Sequence, residues 1–340
     1  MASTGTHLRA PVSLCTAIRF SIRAFLAKHF AGYGMNYLKS LDRPFWTSVA
    51  PSLIKTYPCR PHLKNNRIHF PPAHTPGQRH PVLVLIHGGG FVLGTPAMDD
   101  EQAHLLAAKG YLVASLDYSL ARFPAPLHDL VALVSALLDD MELLPLMDLD
   151  RVAVGGFSAG ALMTLALAQV PELKHRIKAL VPVQPLTDWS GSQRDPARGH
   201  TNAWGGREAL PHDQPVFDWA YVPAGADLRD PLLSPAWATR GAIPQPVFLV
   251  TSSDDSLCDE GAVLARKLAG KEGKDFDATD SWAENGVRYE CVKDMPHTFT
   301  HFWVRPKDEV WKARRKEAAD GLWKKVVAWL DESLDVEKAR

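Results

Sequence analysis

The residues best suited to covalent chemistry lie at Gly156-Phe157-Ser158-Ala159-Gly160, a G-x-S-x-G run between a strand-like Arg151–Val154 and a helix-like Ala161–Val170. A nucleophilic serine needs a turn tight enough to lift its hydroxyl above a sheet. Small residues two places to either side keep neighbouring backbone from colliding there. The helix that follows directs its N-terminal dipole at the charge that develops during attack. A glycine-rich turn carrying an idle serine would read the same way, so Ser158 needs partners before it means catalysis.

One partner is the loop His87-Gly88-Gly89-Gly90-Phe91, directly after the apolar run Val82–Ile86. Consecutive glycines cost backbone entropy, which points to close backbone approach or positive φ. The N–H groups of Gly88, Gly89 and Gly90, together with that of Ala159, form a candidate oxyanion hole for a tetrahedral intermediate. A phosphate-binding loop is the rival, but neither G-x-G-x-x-G nor G-K-[ST] is present. His87 precedes the nucleophile and reads as a residue that fixes the loop.

A base and an acid should follow Ser158 in the order serine, acid, histidine. Val247–Thr251 reads as a strand and leads into Asp254-Asp255-Ser256-Leu257-Cys258-Asp259-Glu260. A carboxylate past the end of a strand can hold an imidazole tautomer. Chemistry alone does not choose among Asp254, Asp255 and Asp259, and residues 259 and 260 also suit the first turn of a helix. After the strand-like Val287–Val292 comes His297, with His301 as the fallback.

The elements that must position these groups read as repeated βα units. Val82–Ile86, Leu112–Leu116, Arg151–Val154, Ile177–Val183 and Val247–Thr251 are mainly apolar rather than alternating, as in a parallel sheet covered on both faces. Helix-like stretches lie between them at Asp99–Lys109, Leu127–Leu144 and Ala161–Val170, the last closed by Pro171. The expected fold is α/β, with a mostly parallel central sheet and helices on both faces. Residues 188–239, with Trp189, Trp204, Trp219 and Trp237, and the turn-rich residues 270–286 interrupt the pattern. Lys307–Leu334 predicts a long amphipathic helix.

The 340 residues carry 38 Lys+Arg and 38 Asp+Glu, a balance that gives no reason to expect nucleic acid or an anionic membrane as partner. Cys15, Cys59, Cys258 and Cys291 form no C-x-x-C pair, which argues against a structural zinc site or a disulfide framework and fits a reducing compartment. A cytoplasmic location follows. The first 41 residues contain Arg9, Arg19, Arg23, Lys28 and Lys39 but no acid, so a mitochondrial transit peptide is the alternative. Leu14, Ile18, Ile22, Phe25, Leu26 and Phe30 recur at helical spacing, and the leading expectation is an amphipathic helix belonging to the fold. A membrane-surface helix is the third reading of this stretch, but no apolar run is long enough to span a bilayer, which argues against membrane contact.

Taken together, the chain resembles the hormone-sensitive-lipase-like branch of the α/β-hydrolases. HGGGF at 87–91, DYSLA at 117–121, GFSAG at 156–160, DPLLSP at 230–235, DSLCDEG at 255–261 and PHTF at 296–299 carry the resemblance, which runs from about Pro81 to Phe302. It implies a serine carboxylesterase with the triad Ser158, Asp255 and His297, oxyanion donors at Gly89, Gly90 and Ala159, no cofactor or metal, and a monomer or homodimer. It also implies cap helices in residues 1–60 and a cap insertion at 188–239, around core segments 61–187 and 240–340. The substrate would be a small ester, apolar or aromatic by the tryptophans of the cap. The same triad could open lactones, cleave thioesters or transfer acyl groups, and non-catalytic receptors share the fold. Phe157 departs from the family's usual acid and Ser256 from its usual proline. A looser likeness points to fungal esterases of secondary metabolism.

Overall fold

A computed structural model describes residues 7–41, 49–73, 75, 77–192, 210–244, 246–273, 276–301 and 308–335. In chain order its elements are α1 (Leu14–Leu41), β1 (Leu53–Lys55), β2 (Asn66–His69), β3 (His80–Ile86), α2 (Asp100–Ala107), β4 (Leu112–Leu116), α3 (Ala125–Leu138), β5 (Met147–Phe157), α4 (Ala159–Leu167), α5 (Pro171–Lys174) and β6 (Ala179–Val183). They continue with α6 (Leu210–Tyr221), β7 (Val247–Ser252), α7 (Cys258–Ala269), β8 (Trp282–Glu284), β9 (Val287–Val292) and α8 (Glu309–Ser333).

The strands form one sheet in the order β1-β2-β4-β3-β5-β6-β7-β9-β8. From β4 to β9 every pairing is parallel. β1, β2 and β8 are antiparallel additions at the two edges. Every residue of β3, β4, β6 and β7 is buried. The unbroken apolar runs therefore have the expected cause: helices cover both faces.

Alternation along the strands sorts the core into two layers. Val82, Val84 and Ile86 of β3 point to the face covered by Leu130, Leu133 and Leu137 of α3, Leu162 of α4 and Leu264 of α7. Leu83 and Leu85 point to the other face, against Leu106 of α2 and Leu322, Trp323 and Leu330 of α8. The sheet forms the middle layer and holds up the loops at the carboxyl ends of its strands.

Several expectations change in detail. The helix expected over Leu127–Leu144 stops at Leu138, and Leu144–Leu146 form a short 3₁₀ turn. Pro171 does not merely close the helix before it. It also opens α5 from the first helical position, where its missing N–H costs nothing. The polar 270–286 segment contains the edge strand β8. The C-terminal helix begins at Glu309, capped by the Asp308 carboxylate accepting from the Trp311 N–H at 2.8 Å; Lys307 lies outside the described residues.

The largest correction concerns α1. Its helix exists, but the stripe Leu14, Ile18, Ile22, Phe25, Leu26 and Phe30 is exposed rather than packed on the fold. The docked face carries Phe20, which is buried with its ring 6.2 Å from that of Trp219, and Arg23, which pairs with Asp213 at 2.8 Å, both partners on α6. Among the described residues no helix is long and apolar enough to cross a membrane.

The two-layer burial makes a contrast that a denaturation series checks. Leu83→Ala, at a site 1% exposed, should destabilise by about 2–5 kcal/mol. Ile54→Ala on the edge strand β1, at 52% exposed, should stay within about 0.5 kcal/mol. Urea midpoints with unchanged slopes would measure both.

Candidate active site

Ser158 is the single residue between β5 and α4, held at φ 54° and ψ −115°, a region costly for any residue with a Cβ. Its N–H donates to the Val183 carbonyl at 3.0 Å, and its own carbonyl accepts from Ala161 and Leu162 at 3.0 and 3.1 Å. The strain is thus over-determined by the neighbouring strand and the first turn of α4. The glycines explain how the turn fits. A Cβ at Gly160 would lie 2.0 Å from the Ile86 carbonyl oxygen, so the start of α4 presses on the end of β3. A Cβ at Gly156 would in turn meet the Gly160 oxygen at 2.4 Å.

The glycine loop after β3 lies against Ser158. A Cβ at Gly88 would come 2.8 Å from the Phe157 carbonyl and 3.3 Å from Ser158 Cβ. Gly89 has φ 121°, and its carbonyl accepts from the N–H groups of Val92 and Leu93, both at 3.1 Å. His87 does fix the loop. Its Nδ1–H donates to the Gly88 carbonyl at 2.8 Å, and its ring stacks on Tyr118 at 4.2 Å. Tyr118 donates its hydroxyl to the His87 carbonyl at 2.9 Å. Burial, with help from Asp99 and Asp117, pushes the Tyr118 hydroxyl well above the usual tyrosine range, so it stays a donor.

His297 connects the remaining groups. Its Nε2 lies 2.9 Å from Ser158 Oγ and its Nδ1 2.8 Å from Asp255 Oδ2. Asp255 is fully buried, and its other oxygen accepts the Leu257 N–H at 2.9 Å. Of the three candidate acids it is Asp255 that hydrogen-bonds the imidazole. The Asp254 carboxylate accepts from Ser253 Oγ at 3.2 Å, while Asp259 sits in the first turn of α7. Glu260 accepts the Thr187 N–H at 2.5 Å, a structural contact.

One positioning residue escaped the sequence reading. Gln184, buried and directly after β6, donates its Nε2–H to the Pro296 carbonyl at 3.1 Å and accepts the Thr298 N–H at 2.8 Å. It therefore grips the backbone on both sides of His297, and it also bonds Ser252 Oγ on β7. The available signal was its place, immediately past a five-residue apolar run at the same sheet end as Ser158.

His301 is not a second base. Its Nε2 faces Asp99 Oδ1 at 3.3 Å, and its ring meets Phe157 edge-on at 4.2 Å. Arg315, fully buried on α8, donates to the His301 carbonyl at 3.2 Å; burial brings its guanidinium down to about 10.

Aromatic rings cover the loop. The Phe217 ring of α6 occupies the space a Cβ at Gly90 would take, at 2.6 Å. Phe91 stacks on Tyr221 at 3.5 Å, and Trp189 lies 5.4 Å from Tyr221. Trp237 is held by Asp188, which accepts its Nε1–H at 3.1 Å, so it packs rather than lines. Trp204 lies outside the described residues. Among the described residues no group of three or more His, Cys, Asp and Glu is placed to hold a metal.

A family model for the alpha/beta hydrolase fold matches residues 83–301. An acetyl esterase of Salmonella choleraesuis is 30% identical over 273 residues, 77% of this chain and 78% of that protein. An ethyl acetate hydrolase of Pseudomonas putida is 29% identical over 217 residues, 61% of this chain and 66% of that protein. Among solved structures, an ester-hydrolase from the metagenome of Lake Arreo, complexed with a bipyridine phosphonate derivative, superposes with a TM-score of 0.62 at 25% identity, covering 87% of this chain and 90% of its own.

The Gln184 clamp predicts that Gln184→Ala lowers kcat roughly 10- to 100-fold with little change in KM, through loss of His297 alignment. Gln184→Glu, which keeps the acceptor, should recover part of the loss. Steady-state kinetics on one soluble ester compares the three proteins.

Proposed function

Because the chain belongs to the hormone-sensitive-lipase-like family of α/β-hydrolases, we propose that it is a serine carboxylesterase with Ser158 as nucleophile, His297 as general base and Asp255 as the acid that orients it. The observation that carries this reading is the continuous pair of hydrogen bonds through His297, 2.9 Å to Ser158 Oγ and 2.8 Å to Asp255 Oδ2. His297 Nε2 takes the hydroxyl proton as Ser158 Oγ bonds to the ester carbonyl carbon. Nδ1–H stays on the imidazole and donates to Asp255, which stabilises the imidazolium. The N–H groups of Gly89, Gly90 and Ala159 hold the oxyanion, with the dipole of α4 behind them. The imidazolium then protonates the departing alcohol, and a water deprotonated by His297 releases the acid.

The acyl group is short. Phe217 lies on Gly90, one of the proposed oxyanion donors, which leaves little room for a long chain beside the reacting carbonyl. Acetyl esters named for two of the relatives suit such a site. A non-catalytic receptor would have no use for an intact serine, histidine and buried carboxylate in register.

A fluorophosphonate probe should label the protein at Ser158, and Ser158→Ala should abolish labelling and lower kcat/KM for a short-chain aryl ester by about 10⁴-fold or more. Full activity in Ser158→Ala would end this reading. For the acyl pocket, Phe217→Ala should raise the ratio of octanoate to acetate kcat/KM by about tenfold. An unchanged ratio would remove Phe217 from the acyl site.

A further inference from the structure

The outer face of α1 carries an apolar surface that ester cleavage does not use. Leu14, Ile18, Ile22, Phe25 and Leu26 are 77%, 53%, 55%, 57% and 46% exposed. At 3.6 residues per turn they fall within an arc of about 120° on one side of the helix. Singly exposed apolar residues need no explanation, but a continuous stripe of five marks a contact surface. The burial of Phe20 and the Arg23–Asp213 pair show that α1 is already docked by its opposite face, so the stripe is not the one that holds it to the protein.

Charge identifies what the stripe meets. The first 41 residues hold Arg9, Arg19, Arg23, Lys28 and Lys39 and no Asp or Glu, in a chain whose 38 cations and 38 anions balance as a whole. Arg19 and Lys28 are exposed on α1 beside the stripe. A second copy would bring one acid-free cationic helix against another, and like charges oppose that pairing. A layer of anionic headgroups has the complementary sign and offers an apolar phase just beneath it.

We propose that α1 docks this protein on the surface of an anionic lipid bilayer. Its stripe enters the acyl boundary, and Arg19 and Lys28 lie among the headgroups without crossing. The location suits an esterase of apolar substrates. α1 packs on α6, and α6 carries Phe217 on Gly90, so one helix separates the lipid from the glycine loop.

The test is cosedimentation of the full chain with vesicles of phosphatidylcholine alone and of phosphatidylcholine mixed with phosphatidylglycerol. Binding should favour the mixed vesicles and weaken as salt rises. Ile18→Asp with Ile22→Asp should lower the partition coefficient at least about tenfold while hydrolysis of a soluble short-chain ester stays at the parent rate. That rate also reports that the variant is folded. Arg19→Ala with Lys28→Ala should reduce the preference for anionic vesicles and leave the ester rate unchanged. Ser158→Ala should bind vesicles as the parent does, so the outcome is independent of the catalytic reading. No partitioning onto mixed vesicles would overturn the proposal. So would a dimer in light scattering that the Ile18→Asp, Ile22→Asp protein loses, which would give the stripe to a second copy.

Discussion

The start of α4 touches the end of β3 so closely that a Cβ at Gly160 would lie 2.0 Å from a carbonyl oxygen of Ile86. This approach lets β5 turn into α4 within one residue, and it puts the strained backbone of that turn at Ser158. It also brings the glycine loop that follows β3 against the serine, since Gly88 is packed on the Phe157 carbonyl. Ser158 and the glycine loop are therefore not positioned independently. Both follow from one backbone contact between adjacent parallel strands and the helix between their layers.

The rest of the site is assembled from other strand ends. Gln184 follows β6, Asp255 follows β7 and His297 follows β9, so three polar side chains from distant parts of the chain meet at one edge of an apolar sheet. Burial strengthens each hydrogen bond among them and makes any unpaired member expensive, which favours a single arrangement. Gln184 has the clearest role in this, because it bonds the backbone before and after His297 and leaves the imidazole little freedom to turn away from Ser158.

Much of this was legible in the sequence for a definable reason. β4 and β7 occur at Leu112–Leu116 and Val247–Ser252, where mainly apolar, non-alternating runs predicted strands, because strands buried on both faces have no alternation to blur them. The edge strands β1 and β8 went unread: each has only three residues, none of them buried, too few to show a period. Periodicity found the stripe on α1 but not its direction. Which face docks depends on Phe20 meeting Trp219, about 200 residues away, and no local pattern records that. The acid was ambiguous among Asp254, Asp255 and Asp259 because chain order says nothing about which carboxylate a tight turn aims inward. Gln184 carries no motif.

Phe157, the departure from the family's usual acid, is best understood through strand alternation. Residue 157 lies next to Ser158 in sequence, yet its side chain belongs to the layer beneath the sheet, 4.2 Å from the His301 ring and 5.8 Å from that of Trp323. A carboxylate there would be buried and would need a cation to offset its desolvation. In this chain Asp99 is the buried carboxylate that faces His301, with Ser115 Oγ donating to it at 3.3 Å, and Arg315 holds the His301 carbonyl. A second acid at 157 would set two negative charges around one imidazole in a dry layer. The phenyl ring avoids that repulsion and fills the space against α8. It leaves untouched the side of the sheet edge where Ser158, His297 and Asp255 meet.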